Sequence, residues 1–357
     1  RDELVGLHFH QKLVEGLNIP FLGVRVSSVL TNGGLVDDGV VFAVFCGDFD
    51  VDVIQERMDF DDLDSTVGRL NACVGGWHVA VTFSSNLFYQ NVFVDYVLRR
   101  INLSNPSLQI VGGNSAPTPT TFSREGIFDD SISMALFRGL DSKYLMDAGF
   151  SYSEGSETLV VTKSDEFHIN EFNNMNAVTY YCSKKHIQPY FFNMLTKTVM
   201  NPRIGEVFSR IYKTNKEIMR GITKGTMEAP GFKVNDSVIE PLFYVEGDEK
   251  GSKLLTQQYM PEGRELKWLK TDAESQFKMF ERVLGKLAGS SLILGFVCDL
   301  IPFYFEYNFE KLQKIVKKQD SPVLLSFHYG EIGGEKGKEE KLKNFVHAGS
   351  VQAIGFN

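Results

Sequence analysis

The sequence contains little cysteine and no long apolar run. Four of its 357 residues are cysteine, and no two of them form a Cys-x-x-Cys pair: Cys46, Cys73, Cys182 and Cys298. This spacing argues against a disulfide framework and against a zinc site, and the sequence predicts no metal and no cofactor. No apolar run approaches the ~18 residues that a membrane helix needs. We therefore expect reduced thiols in a cytoplasmic protein with no membrane span.

The chain is also short of positive charge. Its 37 Lys and Arg residues against 45 Asp and Glu residues give a net charge of −8. An acidic chain is repelled by phosphate backbones and by anionic lipid surfaces. Nucleic acid is therefore not expected as a partner, and the hydrophobic content of 43% is that of an ordinary globular protein.

The amino terminus lacks the features of a secretory signal. The first residue is Arg1, and residues 1–17 do not have a basic stretch followed by an apolar one. We expect that an upstream segment is missing and that the chain is part of a longer protein.

An internal repeat is the most informative feature of the sequence. Residues 34–47 read GLVDDGVVFAVFCG and residues 126–139 read GIFDDSISMALFRG. An apolar run that ends in glycine precedes each copy, at residues 19–23 and 108–112. Each unit predicts a short buried strand, a polar loop, a turn at the Asp-Asp pair and an alternating strand. The repeat units span about residues 19–50 and 108–141.

The order of the remaining segments predicts a mixed α/β to α+β fold. Strands are expected at residues 78–83, 158–163, 238–246, 254–260, 265–271, 291–298, 322–329 and 350–355, and helices at 88–101, 173–183, 190–219, 272–287 and 309–318. The length predicts two mixed-sheet domains with flanking helices. We place an N-terminal domain at residues 1–165, a connecting helical region at 166–236 and a C-terminal domain at 237–357.

The first candidate site follows the apolar run of the second repeat unit. Gly112, Gly113, Asn114 and Ser115 lie where a strand ends. Glycines let a ligand approach the backbone, and the carboxyl ends of strands are common ligand positions. A tight turn with no ligand explains the same residues equally well.

A second candidate site joins two C-terminal strand ends. Cys298 ends one apolar strand, and His328, Tyr329, Gly330 and Glu331 follow another. A cysteine nucleophile activated by His328 is chemically reasonable, but a polar ligand pocket that uses Glu331 is favoured over catalysis, and a buried unreactive thiol is the simplest alternative. No catalytic residue is assigned.

Several segments together resemble the FIST family, named for F-box and intracellular signal transduction proteins, whose members have an N-terminal and a C-terminal FIST domain. The matching N-terminal segments are IVGGNSA at residues 110–116, residues 126–139 and TLVVTK at 158–163. The C-terminal segments are MPEG at 260–263, FVC at 296–298, residues 322–333 with YGEIG, and HAGS at 347–350. One departure is that Asp299 and Leu300 follow Cys298, where the family commonly carries an arginine a few residues later.

The resemblance implies a sensory domain that binds a small molecule such as an amino acid and passes the signal to a protein partner or to an attached output module. In this interpretation Glu331 pairs with a ligand ammonium, and the backbone near Gly112 accepts a carboxylate. The alternative is a protein-interaction adaptor similar to the substrate receptors of ubiquitin ligases. A cysteine-dependent enzyme that uses Cys298 is the third hypothesis.

Overall fold

A computed structural model of the chain describes residues 2–37, 39–85, 91–116, 120–165, 168–185, 230–233, 239–241, 244–247, 253–256, 258, 260–336, 342–347 and 349–357. The helices in these residues are α1 Asp2–Gly16, α2 Leu63–Cys73, α3 Asn91–Ser104, α4 Ala177–Lys185, α5 Ala273–Lys286, α6 Ile301–Tyr304 and α7 Phe309–Lys317. Side-chain caps begin several of them. The Asp272 carboxylate, for example, accepts a hydrogen bond from the Ser275 N–H at the start of α5.

Two six-stranded sheets form the centre of the molecule. The N sheet has the strand order β23 Leu342–His347, β22 Glu331–Lys336, β6 Gln109–Asn114, β5 Val79–Ser84, β9 Ser131–Arg138 and β4 Asp50–Arg57. The C sheet has the order β10 Ser142–Asp147, β24 Val351–Phe356, β20 Leu292–Cys298, β21 Val323–His328, β2 Val29–Thr31 and β3 Gly34–Val36. Each sheet has one parallel pair, β5 with β6 and β20 with β21.

Two smaller parts complete the fold. A nine-stranded sheet follows the path β16 Ile239–Pro241, β15 Pro230–Lys233, β19 Glu265–Lys270, β12 Thr158–Ser164, β13 His168–Phe172, β18 Leu254–Thr256 and β17 Tyr244–Gly247, with β11 Ser151–Tyr152 on β19 and β14 Met175–Asn176 on β13. A three-stranded sheet joins β1 Leu22–Val24, β7 Thr121–Ser123 and β8 Gly126–Phe128.

The N sheet and the C sheet pack face to face between two layers of helices. Aromatic and branched side chains of both sheets share one buried cluster, in which Phe137 of β9 contacts Phe356 of β24 at a ring distance of 6.2 Å. The opposite face of the N sheet packs against α2 and α3, and that of the C sheet packs against α5, α6 and α7. The central architecture is therefore a four-layer α/β/β/α sandwich.

The two halves of the sandwich exchange hairpins. The N-terminal strands pair in the order β6-β5-β9-β4. The C-terminal strands β21, β20 and β24 repeat the first three positions of this order, and β10 of the N-terminal half takes the fourth. The C-terminal hairpin β22-β23 then extends the N sheet at β6, whereas the N-terminal hairpin β2-β3 extends the C sheet at β21. Each central sheet is therefore completed by strands from the other half of the chain.

The predicted fold class is confirmed, because the structure has mixed sheets and flanking helices. The expected strands at 78–83, 158–163, 265–271, 291–298, 322–329 and 350–355 correspond to β5, β12, β19, β20, β21 and β24, and the expected helices at 272–287 and 309–318 to α5 and α7. The helix expected at 190–219 lies outside the described residues. The proposed domain boundaries and the internal repeat stay predictions.

Two expectations about local structure were wrong. The alternating strand expected in the first repeat unit is not present at residues 40–46, which pair with no strand among the described residues. Mixed charges and a low apolar content at residues 334–343 are typical of a solvated loop, but β22 and β23 are paired strands of one hairpin, with Gly333 opposite Phe345. The hairpin has few alternating apolar residues, but Ile332 and Val346 are buried in the cluster that packs the N sheet against α2 and α3, which favours the strands.

Candidate functional site

The two predicted sites meet at one junction between the central sheets. Strand β22 pairs with β6 so that Glu331 lies opposite Gly113 and Ile332 opposite Gly112. The Asn114 N–H extends this ladder by donating to the carbonyl oxygen of Gly330 at 2.9 Å. The structure therefore brings residues 112–115 and 328–331, which lie more than two hundred positions apart in the sequence, into direct contact. We call this junction the seam.

Glycines make the close approach at the seam possible. A Cβ atom at Gly113 would overlap the imidazole ring of His328, and a Cβ atom at Gly112 would overlap the backbone carbonyl of Thr82. The positive φ of 114° at Gly330 places the crossing segment in a region that favours glycine. These glycines are thus required by packing in the structure, whether or not a ligand binds.

His328 is committed to structural hydrogen bonds. Its Nδ1 donates to the carbonyl oxygen of Asn114 at 2.9 Å, because a carbonyl can only accept, and its Nε2 therefore accepts from the Ser326 hydroxyl at 2.7 Å. The ring stacks on Phe83 with centroids 6.0 Å apart. Burial lowers the pKa of His328 to about 4, although the bond to Asn114 acts in the opposite direction. The imidazole is therefore neutral at physiological pH, and both of its nitrogens are used.

Cys298 lies opposite His328 in the parallel pair of β20 and β21, but its side-chain hydrogen bond is with the Glu331 carboxylate. Glu331 is fully buried, and its Oε2 accepts hydrogen bonds from the Ser350 N–H at 3.1 Å and the Ser350 hydroxyl at 3.0 Å. Burial raises the pKa of the Cys298 thiol well above its usual range, and the negative charge of Glu331 raises it further. A thiol in this setting stays protonated, so the arrangement does not provide the Cys–His pair that nucleophilic catalysis requires.

Asn91, which the sequence analysis missed, joins the start of α3 to the seam. Its side-chain Nδ2 donates to the carbonyl oxygen of Tyr329 at 2.7 Å, and its Oδ1 accepts from Asn114 Nδ2 at 2.7 Å. Asn91 and Asn114 are both fully buried. The crossing segment between the two sheets is therefore held by side chains from the N-terminal half. The only sequence signal was an asparagine near a predicted helix start, which is too common to single out a residue.

The backbone amides after β6 are already used. Ser115 N–H donates to Ser84 O at 2.7 Å, and Ala116 N–H donates to Arg25 O at 2.9 Å. Because Asn114 N–H is bonded to Gly330, none of these three amides is available to a ligand carboxylate in this conformation. The expected carboxylate contact near Gly112 stays a prediction that these amides do not support.

Comparison with known protein families identifies the N-terminal part of the chain. Residues 11–175 match the FIST N domain. FIST domains are sensory domains of signal-transduction proteins and are not typically catalytic. No curated protein matches the chain. Within the residues that the structure describes, no helix combines the length and the apolar character needed to cross a bilayer.

The FIST N match covers one of the two parts of the chain that form the seam. It covers Asn91 and residues 112–115, whereas Cys298 and residues 328–331 lie beyond it. The C-terminal segments that resemble the FIST C domain therefore stay a prediction, although they pair directly with the matched part.

Asp299 occupies the region where the resemblance predicted an arginine. Asp299 is half-buried as a residue. Its N–H donates to His328 O at 2.8 Å, and its carboxylate is hydrogen-bonded by the Ser27 side chain. Burial raises the pKa of Asp299 to about 6, and the Ser27 bond acts in the opposite direction. No salt bridge to Asp299 is formed by any residue that the structure describes. The strand ends beside the FIST N region thus carry an uncompensated negative charge.

Replacing Gly113 with alanine tests the packing of the seam. The added methyl group overlaps the buried His328 ring, so we expect the free energy of unfolding to fall by about 2–3 kcal/mol. Gly68 in α2 has open space around its Cβ position, and Gly68→Ala should raise stability by about 0.5–1 kcal/mol. Urea unfolding of both variants measures this difference. Equal effects in the two variants would contradict the close approach of β6 and β21.

Alkylation by iodoacetamide tests the state of Cys298. Cys46 and Cys73 are exposed, whereas Cys182 and Cys298 are buried. We expect native protein at neutral pH to be labelled at the two exposed thiols and to be protected at Cys298, because only an accessible thiolate reacts. Mass spectrometry of digested protein gives the four rates, and urea-unfolded protein is the control in which all four should react. An alkylation rate of Cys298 equal to that of Cys46 would support the enzyme hypothesis.

The pH dependence of stability tests Asp299. The native carboxyl group binds its proton up to about pH 6, whereas an unfolded aspartate releases it near pH ~4. Stability contributed by this group is therefore lost as the pH rises through this interval, by at most about 3 kcal/mol. We expect Asp299→Asn to be more stable than the wild type at pH 7.5, with the difference shrinking at pH 4. Asp61→Asn, at an exposed position, is the control. A stability difference between Asp299→Asn and the wild type that does not change with pH would show that the pKa of Asp299 is not raised.

Proposed function

We propose that the protein is a sensor that binds a small amine-bearing ligand at the seam and passes the signal to a protein partner or an attached output module. The FIST N match supports the sensory role. The observation that carries the proposal is the convergence of both halves of the chain at the seam, where Asn91 and Asn114 hold the crossing segment at Tyr329. A ligand at these strand ends contacts both halves at once.

The charge of the site favours an ammonium group. Glu331 is used by Ser350 and Cys298 inside the sandwich. Asp299 is the more accessible carboxylate, and its charge is destabilising in the free protein because it is desolvated. A bound ammonium group relieves that cost and gains a charge-assisted hydrogen bond. The half-buried Tyr329, beside Asp299, supplies a phenol to the same region.

Amino acids are the first ligand class to test. They carry the ammonium group that Asp299 would bind, and their side chains offer the chemical variety by which a sensor discriminates. The occupied amides of residues 114–116 leave the ligand carboxylate without a backbone donor among those three groups. Amines that lack a carboxylate therefore belong in the same screen, because they separate the contribution of the two ligand groups.

A thermal-shift screen tests the proposal. Wild-type protein is heated with each amino acid, with its N-acetyl derivative and with the matching amine, and a ligand at 100 times its Kd should stabilise the fold by about 2.7 kcal/mol. We expect stabilisation by one class of free amines or amino acids and none by the N-acetyl derivatives. Asp299→Asn should abolish the response, whereas Asp61→Asn should retain it.

The outcomes of this screen distinguish an error in the proposed site from an error in the proposed function. An unchanged response in Asp299→Asn would remove Asp299 from the site while leaving the sensor in place. A flat screen with folded, cooperatively unfolding protein would overturn the sensor and favour the protein-interaction adaptor.

A further inference from the structure

An exposed apolar segment connects β3 to β4. Among the described residues, Val40, Phe42 and Val44 are 52%, 58% and 66% exposed, which places three of the most exposed large apolar side chains at alternate positions of one short segment. Ile19 and Val51 are also strongly exposed. Single exposed apolar residues are ordinary, but a row of three with a period of two is typical of one face of a β-strand.

The backbone of this segment also lacks a paired strand among the described residues. Residues 40–46 form no backbone hydrogen bond with the part of the chain that the structure describes. The sequence VVFAVFC nevertheless has strong strand propensity, which is why a strand was predicted here. Unpaired N–H and C=O groups beside exposed apolar side chains are the features of a strand that accepts another strand.

The sandwich fixes the direction in which the segment is displayed. Phe45 packs between the two sheets, with ring centroids 5.1 Å from Phe137 of β9 and 5.0 Å from Phe356 of β24. Phe49 packs on Phe137 at 5.9 Å. These two inward anchors hold the carboxyl end of the segment against the sandwich. Val44 remains 66% exposed, and Phe42 remains 58% exposed although its ring lies 6.4 Å from that of Phe9 in α1.

Charge at both ends of the segment selects the occupant. The exposed Asp37 precedes it, and the exposed Asp48 and Asp52 follow it. None of these carboxylates forms a salt bridge within the described residues. Antiparallel pairing with a second copy would place the Asp37 end of one chain against the Asp48 end of the other, and like charges opposite each other destabilise a strand pair. The flanks are instead complementary to basic residues.

We propose that residues 40–46 are a docking strand for a protein partner, which adds an extended apolar segment flanked by lysine or arginine residues. Backbone hydrogen bonds would supply affinity, the side chains of Phe42 and Val44 would pack on alternate residues of the partner, and the acidic flanks would set its register. Binding of a partner to this surface does not require a ligand at the seam, so an experiment can refute the docking strand without refuting the proposed sensor.

A binding experiment with a synthetic peptide tests the docking strand. The probe is a fluorescein-labelled peptide of alternating valine and threonine with two lysines at each end, titrated with the full chain and followed by fluorescence anisotropy. We expect it to bind at least ten-fold more tightly than the same peptide with glutamates in place of the lysines, and the difference should shrink as salt is raised. Methylation of alternate backbone nitrogens on the pairing edge of the probe should abolish binding.

Two protein variants locate the contact. Phe42→Ser and Val44→Ser remove exposed apolar side chains, so both should fold normally and weaken binding of the lysine peptide at least five-fold. Leu103→Ser is the matched control, because Leu103 is 78% exposed but lies in α3. Unchanged binding in both segment variants, or equal binding of the lysine and glutamate peptides, would overturn the proposal. So would a dimer in light scattering that Phe42→Ser dissociates, because the occupant would then be a second copy.

Discussion

The passage of the chain from one central sheet to the other constrains the whole molecule. Strand β21 ends at His328 in the C sheet, and β22 begins at Glu331 in the N sheet, so only Tyr329 and Gly330 cross between them. Packed sheets lie ~10 Å apart, and the three Cα-to-Cα steps from His328 to Glu331 reach about 11 Å when fully extended. The crossing segment is therefore short, and the strands on either side of it must approach closely. Glycine at position 113, beside the His328 ring, makes that approach possible.

The same constraint explains why the polar groups at the seam bind one another. A crossing segment has no ladder of its own, and buried backbone groups without partners are costly. Asn91 satisfies the Tyr329 carbonyl, Asn114 satisfies Gly330, and His328 returns a hydrogen bond to Asn114. Side chains that look catalytic in the sequence are thus used to stabilise a crossing. The chemistry that remains available at the strand ends is the charge of Asp299, which suits binding better than bond making.

The sequence predicted elements whose pattern is local and failed where pairing is remote. Helix α5 has an Asp272 cap and a regular apolar stripe, and β20 is a continuous apolar run, so both were predictable. Residues 40–46 have a strand pattern, but no described strand lies beside them, and propensity alone does not make a ladder. Hairpin β22-β23 shows the reverse case, because its charged sequence becomes strand through pairing with β6.

The candidate site likewise combines residues that the sequence singled out with residues that it did not. Glycine-rich and charged motifs drew attention to residues 112–115 and 328–331, but their contact depends on a hairpin that crosses between sheets. Asn91 and Asp299 have ordinary sequence surroundings. Their importance comes from what they face, Tyr329 in one case and Ser27 in the other, and neither contact is encoded by spacing along the chain.

The seam and the docking strand lie at opposite ends of the same strands. The seam is at the carboxyl ends of β5 and β6, whereas Phe137, which anchors residues 40–46, pairs with Val79 at the amino end of β5. Four residues of β5 separate these levels, roughly 13 Å at the rise of an extended strand. Phe45 touches both central sheets, through Phe137 and Phe356, and the seam joins the same two sheets. The seam and residues 40–46 therefore meet the same two sheets at opposite ends of β5, and a change in the angle between those sheets would reach both places.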